Sequence, residues 1–241
     1  MNVNQIVRII PTLKVNNRKL NETFYIETLG MKALLEESAF LSLGDQSGIE
    51  KMVLEESPSM RSRKVEGTKK LARLIVKVEN PSEIEALLAR MDKIPQLYKG
   101  TKGYAFEVLS PEGDLVLIHA EDDTKELKKV EETVTFSKDE KLQYLTVFDI
   151  SVEINLPEET TSLLEKEEIE NGLAFKQAQG SDLLVENNVT WDLSMLKFQV
   201  QTLDLANLRQ RFETVGYFVP KSEKFFLTKD TDNIELWFEE V

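Results

Sequence analysis

One pattern runs four times along the chain and narrows what it can fold into: a β-type run, an amphipathic helix closed by Gly or Asn-Gly, then short β-type runs. The first copy is the most regular. Ile6, Ile9, Ile10, Leu13 and Val15 make Gln5–Val15 a largely apolar extended segment, in which Pro11 removes one ladder hydrogen bond and so points to an edge or a bulge. Asn16 or Asn17 caps a helix over Asn17–Thr28, where Leu20, Phe24 and, more loosely, Ile26 and Leu29 follow helical spacing and Gly30 provides the stop. Runs at Lys32–Leu35, Phe40–Leu43 and Met52–Leu54, divided by Gly44-Asp45 and Gly48, read as a meander.

The second copy has a strand at Leu71–Val78, a helix started by Asn80-Pro81-Ser82 with a stripe of Ile84, Leu87, Leu88 and Met91, and strands at Gln96–Tyr98, Tyr104–Leu109 and Leu115–His119. Ser110-Pro111-Glu112-Gly113 joins the last two as a turn, Pro setting φ and Gly accepting a positive one. A third copy starts at Leu142: strand Tyr144–Ile154, a helix opened by Pro157-Glu158-Glu159 and closed by Asn171-Gly172, and short strands Leu173–Gln177 and Leu183–Glu186. It is the weakest, because no last strand is readable in Asn187–Asp192. The fourth has strand Met195–Gln201, helix Asp204–Thr214, Gly216, and strands Tyr217–Val219, Phe225–Thr228 and Ile234–Phe238.

These units predict an α+β chain of two tandem domains, 1–120 with the first pair and 142–241 with the second, each pair curling around a shared cleft. Residues 121–141 are charged and poor in apolar side chains, which predicts an acidic linker and halves that fold separately. Charge follows the same division: residues 1–120 carry 17 basic and 16 acidic side chains, residues 121–241 carry 13 and 27. A net charge of -13 argues against a phosphate backbone as main partner, so no nucleic acid is expected. The absence of cysteine removes disulfides, thiolate metal sites and cysteine nucleophiles. No apolar run reaches the roughly 18 residues of a membrane helix and the start has no basic-then-apolar leader, so the expectation is a cytoplasmic chain with no membrane partner.

Chemistry-bearing residues are few. His119 is the sole histidine, so any Ser-His-Asp triad must run through it. Gly-x-Ser-x-Gly and His-Glu-x-x-His are missing, and Asp230-Thr231-Asp232 lacks the glycine of an aspartic-protease loop; a Ser-Lys dyad stays open. Asp149, Glu186 and Glu235 lie on β-type runs of the second half, as the wet face of a sheet or as a shared acid–base or metal site. Trp191, Trp237, Phe225, Phe226 and Phe238 fill a core or line a small-molecule cleft. Arg61, Arg63 and Lys64, with Lys69 and Lys70, form a solvated loop or an anion-docking patch.

The first strand, the helix carrying Phe24-Tyr25, the following Leu29-Gly30-Met31 and the turn at Ser110–Gly113 closely resemble the βαβββ unit of the glyoxalase, or vicinal-oxygen-chelate, superfamily. The resemblance implies paired modules that hold one divalent cation on His, Glu or Gln of their first and last strands. Those positions fall here on Ile10, Arg73 and Leu117, with a fourth somewhere in Ile49–Glu55. An aliphatic, a cation and another aliphatic imply no metal in the N-terminal domain and no cofactor, which demotes a metal-dependent lyase or dioxygenase.

From the Phe-Tyr helix through the acidic linker to the terminal Glu235-Leu236-Trp237-Phe238-Glu239-Glu240 run, the chain resembles the CppA family, named as a bacterial proteinase degrading complement component 3. That resemblance implies complement component 3 as a partner, a role in virulence and immune evasion, and action outside the cell or on its surface. It implies no mechanism. The residues offer an alternative: a metal-free, non-catalytic module that binds a small ligand or a protein in its cleft.

Overall fold

Side-chain alternation along the strands decides the architecture. The computed structural model describes residues 5–137, 142–164, 166–170 and 172–241. The first unit is β1 (Ile6–Val15), α1 (Arg18–Thr23), β2 (Lys32–Glu37), β3 (Phe40–Gly44) and β4 (Glu50–Glu56). Asn17 caps α1 as expected, accepting from the Leu20 backbone N–H. The buried face matches expectation at Leu29, with Phe24 and Ile26 packed against the core, and differs at Leu20. Phe24–Thr28 is a π-helical turn closed by Leu29 N–H to Phe24 C=O, so Asn21 and Tyr25 face inward while Leu20 is 56% exposed.

The second unit is β5 (Leu71–Val78), α2 (Ser82–Leu88), β6 (Gln96–Lys99), β7 (Tyr104–Leu109) and β8 (Leu115–His119), followed by the two-residue β9 (Lys128–Lys129). The third is β10 (Phe148–Pro157), α3 (Lys166–Glu170) and β11 (Leu173–Ala178). Leu183–Glu186 is turn rather than strand, because Asp182 is held by the Arg63 guanidinium at 2.6 Å and the Glu66 N–H at 2.7 Å, away from any sheet. Asn171, expected to end α3, lies outside the described residues. The fourth unit is β12 (Leu193–Val200), α4 (Leu205–Arg211), β13 (Phe225–Lys229) and β14 (Glu235–Glu240); of Tyr217–Val219 only a bridge from Phe218 to Leu227 remains.

The described strands form two seven-stranded sheets, ordered β13-β14-β12-β1-β4-β3-β2 and β11-β10-β5-β8-β7-β6-β9. Units therefore pair across the two halves. β1 runs antiparallel to β12 with Ile10 opposite Lys197, joining first to fourth; β5 runs antiparallel to β10 with Arg73 opposite Glu153, joining second to third. The cleft that sequence order assigns to the first and second units is thus shared otherwise. Pro11 sits in an interior strand, and the parallel ladder to β4 begins only at Thr12, so its missing donor breaks no rung there.

Each sheet has a core face and an opposite, more open face, on which central residues such as Ile10 and Leu117 are still covered, 0% and 2% exposed. Ile9, Leu13 and Val15 of β1, Met52 and Leu54 of β4, and Phe198 and Phe238 join one buried cluster with Tyr25, Leu29 and Phe212. Leu74, Val76, Val116, Ile118, Val152 and Ile154 of the second sheet, with Ile84 and Leu87 of α2, belong to the same cluster, so the core is continuous. Gly30 marks the junction. Its φ is +72°, and a Cβ there would lie 3.0 Å from Leu87 and 3.3 Å from Leu145. The acidic segment is likewise part of the fold: Glu121 is 1% exposed and accepts from Lys102 N–H and Thr101 Oγ1 at 2.6 Å, β9 extends the sheet beside β6, and Phe136 sits edge-on to Tyr104 at 5.1 Å. Residues 138–141 of the expected linker lie outside the described residues. Among the described residues no helix is long and apolar enough to cross a membrane.

Candidate functional site

The open faces carry the polar chemistry, because alternation puts there the residues that the core rejects. On the first sheet the central pair is Ile10 opposite Lys197. Lys197 Nζ lies 2.5 Å from Glu50 Oε2, and the Ser42 hydroxyl donates to Glu50 Oε1 at 2.5 Å, so both oxygens of that carboxylate are engaged. Beside it lies a hollow of about 450 Å³ lined by Leu35, Glu37, Ser38, Phe40, Ser42, Glu50 and Val53. Leu35 and Phe40 are 59% and 46% exposed. Across the same face Phe225 stacks on Trp237 with ring centroids 3.9 Å apart.

On the second sheet the central pair is Arg73 opposite Glu153. The guanidinium donates to both Glu153 oxygens, Nη2 to Oε1 at 2.8 Å and Nε to Oε2 at 3.2 Å, and through Nη1 to Glu107 Oε1 at 3.1 Å. Lys176 Nζ reaches Glu153 Oε2 at 2.5 Å, and the Tyr98 hydroxyl donates to Glu107 Oε2 at 2.6 Å. Burial alone would lower the Arg73 pKa, but the hydrogen bonds and charges of Glu153 and Glu107 bring it above the ordinary value. Burial likewise opposes the Glu153 charge, yet Arg73 and Lys176 hold its pKa below the usual carboxylate range. The bond to Glu107, then burial, pushes Tyr98 up to about 12.

Comparison with known families matches a CppA N-terminal model to residues 8–130 and a CppA C-terminal model to residues 145–238. The chain belongs to the CppA family. It is 68% identical to the crystal structure of the cppA protein from Streptococcus pneumoniae TIGR4, with 100% of each chain covered and a TM-score of 0.95. More distant solved structures share the fold alone. A provisionally assigned dioxygenase from Bacillus subtilis subsp. subtilis str. 168 is 11% identical over 98% of this chain and 86% of its own, TM-score 0.59. Glyoxalase I from Zea mays is 10% identical over 98% and 92%, TM-score 0.55. No curated protein matches the chain. The glyoxalase-type fold of tandem modules expected from the sequence is thereby shown.

In this CppA chain the positions that the glyoxalase resemblance assigns to metal donors do not fit a divalent cation. Ile10 and Leu117 have no lone pair and Arg73 only donates, while Glu50, in the stretch left unassigned from sequence, is held by Lys197 and Ser42. Among the described residues no group of three or more His, Cys, Asp or Glu converges as a metal site.

The four sequence candidates are dispersed. Asp149, Lys77 and His119 lie in one cross-strand row, with β5 between β10 and β8, so two strand spacings of roughly 4.8 Å separate the carboxylate from the imidazole and a lysine stands between them. Asp149 instead binds Lys51 Nζ at 3.0 Å. His119 is 4% exposed, and its Nδ1 has no hydrogen-bond partner. Burial first, then Lys77 and Arg73, depress its pKa to about 4 against the opposing pull of Glu121. Glu186 lies in a loop, paired at 3.4 Å with Lys229, and Glu235 is on the first sheet opposite Met195.

The other motifs are structural. Phe226 and Phe238 are fully buried, and Trp191 Nε1 donates to the Ser57 carbonyl at 2.7 Å. The basic patch is dispersed as well: Arg63 is bidentate on Asp182, Lys69 lies 2.5 Å from Asp114, and Lys70 donates to the Val185 carbonyl at 2.7 Å. Asp230 accepts the Leu163 N–H at 2.7 Å and so ties down the 162–163 segment. Sequence reasoning missed Glu50, Glu107, Glu153 and Lys197. Their only signal is the register of β1 on β12 and of β5 on β10, which appears once the units are paired across the halves.

Proposed function

We propose that this CppA chain is a metal-free, non-catalytic binding protein of the glyoxalase fold, and that the complement-directed role implied by its family is exerted by holding complement component 3, outside the cell, rather than by cutting it. The observation that carries this reading is the hollow beside Phe40. Leu35 and Phe40, 59% and 46% exposed, keep apolar surface in water on a sheet face where Ser42 and Glu50 add polar groups. A volume of about 450 Å³ lies within the roughly 300–1,000 Å³ of ligand seats. Its occupant is an apolar side chain of the partner, since covering a Phe or Leu contributes about 2 kcal/mol.

Hydrolysis finds less support. With its pKa near 4, His119 is a weak base at neutral pH, and Lys77 stands between it and Asp149. The test titrates homogeneous protein against complement component 3. Saturable binding, weakened at least tenfold by Phe40→Asp or Leu35→Asp and unchanged by His119→Ala, is expected. Binding indifferent to both aspartates would remove the hollow from the account, and no binding at all would remove the partner.

A further inference from the structure

We infer that Arg73 is the resident cation of the second sheet's open face: a guanidinium standing where enzymes of the glyoxalase fold hold a metal ion, with carboxylates that would take a divalent cation once it is removed. Arg73 is the first-strand residue on which the glyoxalase resemblance of the sequence places a metal-binding side chain, and it lies within the β5–β10 ladder. Glu153 faces it from β10, the first strand of the partner unit, and Glu107 reaches it from β7, where it lies opposite Leu117, the last-strand ligand position. Three strands from the two halves of the chain thus converge on one positive charge.

The geometry separates this from an ordinary surface ion pair. One guanidinium engages both oxygens of Glu153 and one of Glu107, the Tyr98 hydroxyl takes the remaining Glu107 oxygen, and the three charged side chains are 23%, 12% and 16% exposed. Removing Arg73 leaves Glu153 with Lys176 as its remaining charged partner and Glu107 with the Tyr98 hydroxyl. A histidine in its place would add an imidazole nitrogen to two carboxylates, a donor set that suits divalent first-row transition metals.

The experiment uses full-length wild type, Arg73→His and Arg73→His/Glu153→Gln, each with EDTA or Ni²⁺, read by thermal unfolding and equilibrium dialysis. Arg73→His should bind about one Ni²⁺ and gain about 5 °C in Tm, while wild type gains nothing and the double variant binds at least tenfold more weakly. A folded Arg73→His without Ni²⁺ binding, or an equal shift in wild type, would overturn the inference. If Arg73→His unfolds in EDTA, recovery of its fold by Ni²⁺ supports the inference and failure to recover contradicts it.

Discussion

His119 is the residue through which any triad must act, and its surroundings keep it neutral. Burial is the largest cause, with Lys77 and Arg73 adding to it, so the folded pKa of about 4 lies below the ordinary 6.5. The unfolded state therefore binds the extra proton between these values. Stability from this group is complete above pH 6.5 and is lost as pH falls toward 4, by up to about 3 kcal/mol. His119→Gln should remove this dependence: its stability relative to wild type should rise by up to that amount from pH 7 to pH 4, read from urea midpoints. A constant difference would show that the imidazole titrates normally. Asp232 has the opposite sign. Burial, then Asp230, raises it from the ordinary 3.8 to about 7, so its stability is complete below that ordinary value and is lost as pH rises from there to about 7. Asp232→Asn should accordingly gain on wild type as pH rises from about 4 to 7 and hold a constant difference above that, in the same assay. That His119 is the only imidazole was legible in the sequence. Its neighbours were not, because Lys77 and Arg73 come from β5 and are placed by the β5–β8 register.

At the scale of elements, strands with one polar face were legible, since Arg73, Lys77 and their alternating neighbours Leu74, Val76 and Val78 show a period of two. The first helix was legible in position and only partly in facing: Phe24, Ile26 and Leu29 of its stripe meet the core, but Asn21 and Tyr25, which no apolar stripe would select, are buried in place of Leu20. The β3–β4 connection depends on two glycines for different reasons. A Cβ on Gly44 would lie 2.1 Å from the Ile49 carbonyl oxygen, where backbone must move, whereas Gly48 has open space but φ +79°. Gly44→Ala should cost about 3 kcal/mol and Gly48→Ala about 1 kcal/mol, measured by urea denaturation. Equal costs would mean that the hairpin relaxes around Gly44.

For the whole molecule, four units and two family-matched segments were legible, but the pairing was not. Sequence adjacency favours first with second, whereas ladder register joins first with fourth and second with third. Each half therefore leaves the edges of β1 and β5, or of β12 and β10, without their partners, and the apolar core runs through both sheets. Residues 1–137 and 142–241 made separately should lack cooperative melts and regain one on mixing, by circular dichroism; independent melts of both would contradict the shared sheets. On this scaffold two central charges, Lys197 and Arg73, are spent on carboxylates, and the hollow beside Leu35 and Phe40 stays open, which supports the proposed binding role. The most direct test incubates homogeneous protein with complement component 3 and follows the intact chains on denaturing gels alongside a binding assay. The account predicts a stable complex with uncut chains, and the same for His119→Ala. Fragments that accumulate with wild type and vanish with His119→Ala, the fold being intact, would contradict it.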